Sequence, residues 1–112
     1  MSYRKEKILS LTGTEVNALD RKTLQGECES LLNNKMHGIC FSPYEGEQKP
    51  GDPISEEQVR RKLALLQPYT QWIRVFSGTE GNAIIPQLAR EYGLKTLVGA
   101  WLGEDDEKNE EE

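Results

Sequence analysis

The sequence predicts an α/β fold with about three parallel strands joined by crossover helices, and three observations predict it. Three short apolar runs, residues 38–41 (GICF), 72–76 (WIRVF) and 96–102 (TLVGAWL), have the length and the β-branched or aromatic character of strands. The segments between them repeat apolar residues at helical spacing. The resulting order, α-β-α-β-α-β, routes each strand to the next through a helix, which implies parallel strands and right-handed crossovers.

Taken in order, residues 1 to about 18 have weak periodicity and read as a loosely held lead-in. From Asp20 the spacing becomes helical: Leu24, Cys28, Leu31 and Leu32 recur at i, i+4, i+7 and i+8. Asp20 is placed to cap this helix and Asn33-Asn34 to end it. The first strand follows, with His37 just before it. None of the three apolar runs alternates cleanly, as expected for strands covered on both faces. Cys40, inside the first, then behaves as a small buried hydrophobe.

The second helix is well signalled. Ser55-Glu56-Glu57-Gln58 is a capping box, in which the serine oxygen accepts from the Gln58 amide and Gln58 reaches back. Ile54 and Val59 stand at the staple positions, Val59, Leu63 and Leu66 make one apolar stripe, and Pro68 stops the helix. Between the second and third strands, Ile84, Ile85, Leu88, Ala89 and Tyr92 form another stripe. Pro86 belongs in its first turn and Gly93 at its C-terminal cap.

Composition removes several functions. A chain of 112 residues is one small domain or a piece of a larger protein. It divides into a lead-in with a helix (1–37), the strand-bearing region (38–103) and an acidic tail (104–112). That tail holds seven acids and one lysine, so the net charge of −5 arises there and the rest is roughly neutral. It reads as a solvated tail or an exposed helix start. No basic stripe with interleaved aromatics is present, so nucleic acid is not an expected partner. No apolar run is long enough to span a membrane, and the charged start, Met1 to Lys7, lacks the apolar core of a signal peptide. As written, the expected location is the cytoplasm, with an extracellular or periplasmic parent protein left open. Cys28, His37 and Cys40 fit no standard zinc spacing and lack a fourth ligand, so neither a metal nor another cofactor is expected.

In parallel β/α folds, function sits at the carboxyl ends of the strands. Here those ends are Ser42-Pro43-Tyr44, Ser77-Gly78-Thr79 and Trp101-Leu102-Gly103. Arg74, between Ile73 and Val75, is the sharpest anomaly, because a buried arginine needs a carboxylate or several carbonyls. It is either an edge residue whose head reaches water or an interior residue orienting an acid. Tyr44 and Trp101 suit stacking on a sugar ring and core packing equally. Gly78-Thr79-Glu80-Gly81-Asn82 matches neither the P-loop nor the dinucleotide fingerprint, and its glutamate would repel an anion. The single histidine starts its strand rather than ending it, which weakens a nucleophilic triad.

The segments GICFSPY, EEQVRRKLALLQPYTQWIRVFS and IPQLAREYGLKTLVGAWLG together resemble the beginning of the glycoside hydrolase family 17 proteins, especially their bacterial β-1,3-glucanase-like branch. The resemblance covers roughly residues 38 to 103. It implies the N-terminal portion of a TIM (β/α)8 barrel and the hydrolysis or transglycosylation of β-1,3-glucan with retention. Such chemistry uses a carboxylic acid and a carboxylate nucleophile about 5 Å apart. In the family these glutamates lie on the fourth strand and a late strand, so the resemblance assigns no catalytic residue here and implies a chain inactive by itself. Glu45, Glu47, Glu80 and Glu104 match no family motif. Tyr44, Arg74 and Trp101 match substrate-binding positions. The implied partner is a β-glucan or oligosaccharide, with self-association or a complementing barrel segment at the two open sheet edges and uncovered face. The alternative is a non-catalytic glucan-binding or protein-interaction module. A small flavodoxin-like nucleotide binder ranks last, for want of a phosphate loop.

Overall fold

The computed structural model describes residues 18–112. The lead-in expected over the first residues therefore lies outside the described part, apart from Ala18. The chain divides into two compact units, Met1–Leu31 and Leu32–Glu112. This boundary falls near the end of the first helix, a few residues before the expected one at residue 37.

Helix α1 (Arg21–Asn33) starts where the sequence predicts it. Asp20 accepts a hydrogen bond from the Thr23 amide at 2.7 Å, satisfying one of the free N–H groups of the first turn. Its apolar stripe is not buried: α1 has no buried residue, Leu24 is half-buried, and Leu31 and Leu32 are exposed. Helical spacing identified the element but not what covers it.

The second unit contains β1 (Met36–Cys40), α2 (Glu56–Leu66), β2 (Thr70–Val75), a 3-10 turn (Asn82–Ile84) leading into α3 (Ile85–Glu91), β3 (Lys95–Val98) and α4 (Asp106–Glu111). The strands form one parallel sheet in the order β1-β2-β3. His37 therefore lies within β1 rather than before it. Among the described residues no helix is long and apolar enough to cross a membrane.

Local chemistry explains the helix ends. Ser55 caps α2, its hydroxyl accepting from the Gln58 amide at 3.1 Å. The reciprocal half of the expected box is absent, because the Gln58 side chain turns instead to Pro43 and Gln48. Pro86 sits in the first turn of α3. Beyond that helix, Gly93 adopts φ +71°, donating its N–H to the Arg90 carbonyl while Leu94 donates to Ala89, both at 3.0 Å. This is a Schellman ending, and Leu94 carries its apolar side chain back into the core.

The core fills one side of the sheet. Ile73 and Val75 of β2 and Phe41 beyond β1 join Val59 and Leu63 of α2, Ile85, Leu88 and Ala89 of α3, and Leu94. Each buried Leu, Ile or Val in such a cluster contributes about 1.5–3 kcal/mol. Register shows what lies on the other side. Cys40, Arg74 and Leu97 form one cross-strand row, and Gly38, Trp72 and Lys95 form another. Cys40, Arg74 and Leu97 are exposed and Trp72 is half-buried. The expectation of strands covered on both faces is thus overturned, and with it the buried environments of Cys40 and Arg74. Both α2 and α3 pack on the same face, so alternate residues of each strand meet different surroundings.

The third strand is also shorter than expected. It ends at Val98, where pairing with Val75 of β2 runs out, and Gly99 adds one further bond to the Val75 carbonyl at 2.9 Å. A Cβ on Gly99 would stand 3.2 Å from that oxygen, so the close approach favours glycine. Trp101 consequently lies beyond the strand, not at its end.

Candidate functional site at the strand ends

The carboxyl ends of the strands are built from three loops. After β1, the Phe41 amide makes one more ladder bond, to the Arg74 carbonyl at 2.8 Å, before Ser42-Pro43-Tyr44 leaves the sheet. Helix α2 holds this exit. Gln58 donates to the Pro43 carbonyl at 2.5 Å and to Gln48 Oε1 at 2.6 Å, and Lys62 Nζ donates to the carbonyls of Ser42 at 3.1 Å and Tyr44 at 2.6 Å. Arg61 pairs with Glu45 at 2.7 Å. Positions 58, 61 and 62 share one helical face, so a single turn of α2 pins the loop at several points.

After β2, the segment Ser77-Gly78-Thr79 surrounds a carboxylate. Glu112, just after α4, places Oε1 against the Ser77 hydroxyl and at 2.6 Å from the Thr79 hydroxyl. Its Oε2 accepts from the Gly78 amide at 3.0 Å and the Trp101 amide at 3.1 Å. Each oxygen thus has two donors. The Ser77 and Thr79 hydroxyls, followed by the backbone amides, hold this carboxyl down at about 2. The acidic segment is an exposed helix start, capped by Asp105 and tied back by Asn109 to Gly103, but its last residue is not solvated as a free tail.

A chain of hydrogen bonds crosses the mouth. Tyr44 Oη accepts from Asn82 Nδ2 at 3.4 Å, and the same nitrogen donates to the Thr79 carbonyl at 2.9 Å. Thr79 leads to Glu112 and thence to the Trp101 amide. Asn82 is buried, so its amide anchors this chain from below.

The three sequence-predicted residues are distributed unequally. Tyr44 is half-buried and belongs to the chain of bonds. Trp101 joins it only through its backbone, its side chain being among the most exposed large hydrophobics at 69%. Arg74 stands apart on the uncovered face, its guanidinium 4.8 Å from the centre of the Phe76 ring. No carboxylate among the described residues pairs with it, so it orients no acid within these residues. Arg74 instead borders an open hollow of about 460 Å³ together with Gly38, Cys40, Trp72 and Leu97. Gly38 shapes that hollow, since a Cβ there would stand 3.1 Å from Trp72 Cβ. Among the described residues no three His, Cys, Asp or Glu side chains are grouped to hold a metal ion.

Sequence reasoning missed Asn82 and Glu112. The available signal was two hydroxyl residues flanking a glycine at a strand end, a pattern that offers side-chain and backbone donors together. Comparison of the chain with protein-family models, curated proteins and solved structures returns no match.

Proposed function

We propose that residues 38–103 are the first three β/α units of a family 17-like glycoside hydrolase barrel, directed at β-1,3-glucan and without turnover by themselves. The observation that carries this reading is the sheet: three parallel strands in chain order, with both crossover helices on one face. That is the arrangement of an arc of a singly wound barrel, whose helices all lie outside. The uncovered face, with Arg74, Trp72 and Leu97, then corresponds to the barrel interior, and Tyr44 and Trp101 to the sugar-facing mouth. The order β1-β2-β3 also departs from the 2-1-3 order of flavodoxin-like binders.

The absence of turnover has a chemical reason. A retaining glycosidase needs a carboxylic acid that keeps its proton near neutral pH. Glu112 is held at about 2 and so is ionised at neutral pH, which rules it out as that acid. Glu45 is engaged with Arg61. The purified chain is expected to release no reducing sugar from laminarin, while β-1,3-oligosaccharides quench tryptophan fluorescence in a manner lost in Trp101→Ala. Turnover of laminarin would overturn the inactive-segment reading. Absence of a sugar response, together with concentration-dependent dimerisation, would favour a protein-interaction module using the uncovered face and the edges of β1 and β3.

A further inference from the structure

We propose that the cradle formed by Ser77, Gly78, Thr79 and the Trp101 amide is a binding site for a small-molecule carboxylate, and that Glu112 is its displaceable internal occupant. The inference stands independently of the glucan reading.

The stereochemistry selects the ligand. Two hydroxyls converge on one carboxylate oxygen and two backbone amides on the other, so the four donors match a planar two-oxygen group. No lysine or arginine contributes a hydrogen bond to the bound carboxylate. A phosphate would bring further oxygens and a higher charge with no donor or cation to receive them. The location, at the carboxyl ends of adjacent parallel strands, is where open α/β sheets bind small ligands.

The occupant is weakly held apart from its carboxylate. Helix α4 has six residues and no buried one, and its sequence, DEKNEE, offers no apolar side chain to the core. A helix this short is not stable alone in water. Besides Glu112, the side chains joining residues 106–112 to the preceding loop are Asn109, bonded to Gly103, and the cap Asp105, which accepts from the Glu107 and Lys108 amides; all are exposed or only half-buried. An external carboxylate therefore competes with one tethered group. Tethering gives Glu112 a local concentration on the order of millimolar, so removing it should expose the cradle to much lower ligand concentrations.

The test uses the full chain at pH 7, with the amide resonances of Gly78 and Trp101 as reporters and sodium acetate as probe. In Glu112→Gln, whose amide nitrogen can no longer accept from one of the two donor pairs, acetate is expected to shift both resonances saturably. Phosphate and chloride at equal ionic strength should not. The unsubstituted chain should need at least tenfold more acetate for half-saturation. Adding Ser77→Ala and Thr79→Ala to Glu112→Gln should abolish the response. An acetate response absent from a folded Glu112→Gln chain, or matched by chloride, overturns the proposal. The side-chain carboxyl resonance of Glu112 in the unsubstituted chain supplies a second measurement that needs no variant. It should move toward its solvent-exposed value as acetate displaces it, and a resonance that stays fixed overturns displacement even where Glu112→Gln does not fold.

Discussion

On β2, Ile73 and Val75 are closed off beneath α2 and α3, while their neighbours Trp72 and Arg74 belong to the side opposite those two helices. The backbone is the same strand and the four side chains stand on consecutive residues. What separates them is the phase of the pleat relative to the two helices. The covered side is apolar and continuous. The other carries cations laid against aromatic rings, Arg74 on Phe76 and Lys95 5.4 Å from Trp72, and Arg74 and Trp72 border an open hollow. One face of this sheet thus stabilises the unit, and its reverse is available for contact.

A matched pair of substitutions gives the sharpest contrast. Leu63→Ala, on the covered side, is expected to cost ~2–5 kcal/mol by urea denaturation, since Leu63 is wholly buried and its loss leaves a cavity. The same change at Leu97, exposed on the reverse side, should stay within ~0.5 kcal/mol. A cost at Leu97 approaching that at Leu63 would break the comparison, because the reverse face would then be covered in solution by another molecule.

Between these extremes lies the acid dependence of the strand mouth. Glu112 titrates at about 2 in the folded chain, against an ordinary value of 4.5. Because the folded value is depressed, its contribution to stability is present above about pH 4.5 and is lost as pH falls toward 2. The difference in urea midpoint between the unsubstituted chain and Glu112→Gln should therefore be larger at pH 6 than near pH 2. A gap that persisted in acid would mean that something other than the ionised carboxylate holds α4 at the mouth.

Individual residues show how far the sequence was legible. Ser55 and Gly93 were readable because their partners lie within a few residues: the Gln58 amide and the Arg90 carbonyl. Gln58 was half readable. Its amide followed the local rule, but its side chain left the capping box for the Pro43 carbonyl, an acceptor fifteen residues away. Cys40 was misjudged, and Arg74 was left between two readings, because an apolar run does not reveal how many of its faces are covered; the structure exposes both side chains. For Trp101, the apolar run 96–102 placed the residue in a strand that ends earlier, where β2 has no further residue to pair with it. Glu112 was invisible as a ligand, since the acidic run around it carries the ordinary signature of a solvated segment.

Sequence by itself determined the type and order of the elements in the strand-bearing unit, the capping of its helices and the parallel α/β class. Those follow from spacing, cap chemistry and turn residues, which act over a few positions. Only the tertiary structure decided that both crossover helices share one face, that Arg74 is left in the open, and that Ser77, Thr79 and two amides close around Glu112. Each of these depends on groups brought together across tens of residues, where packing and donor geometry rather than local preference select the partner.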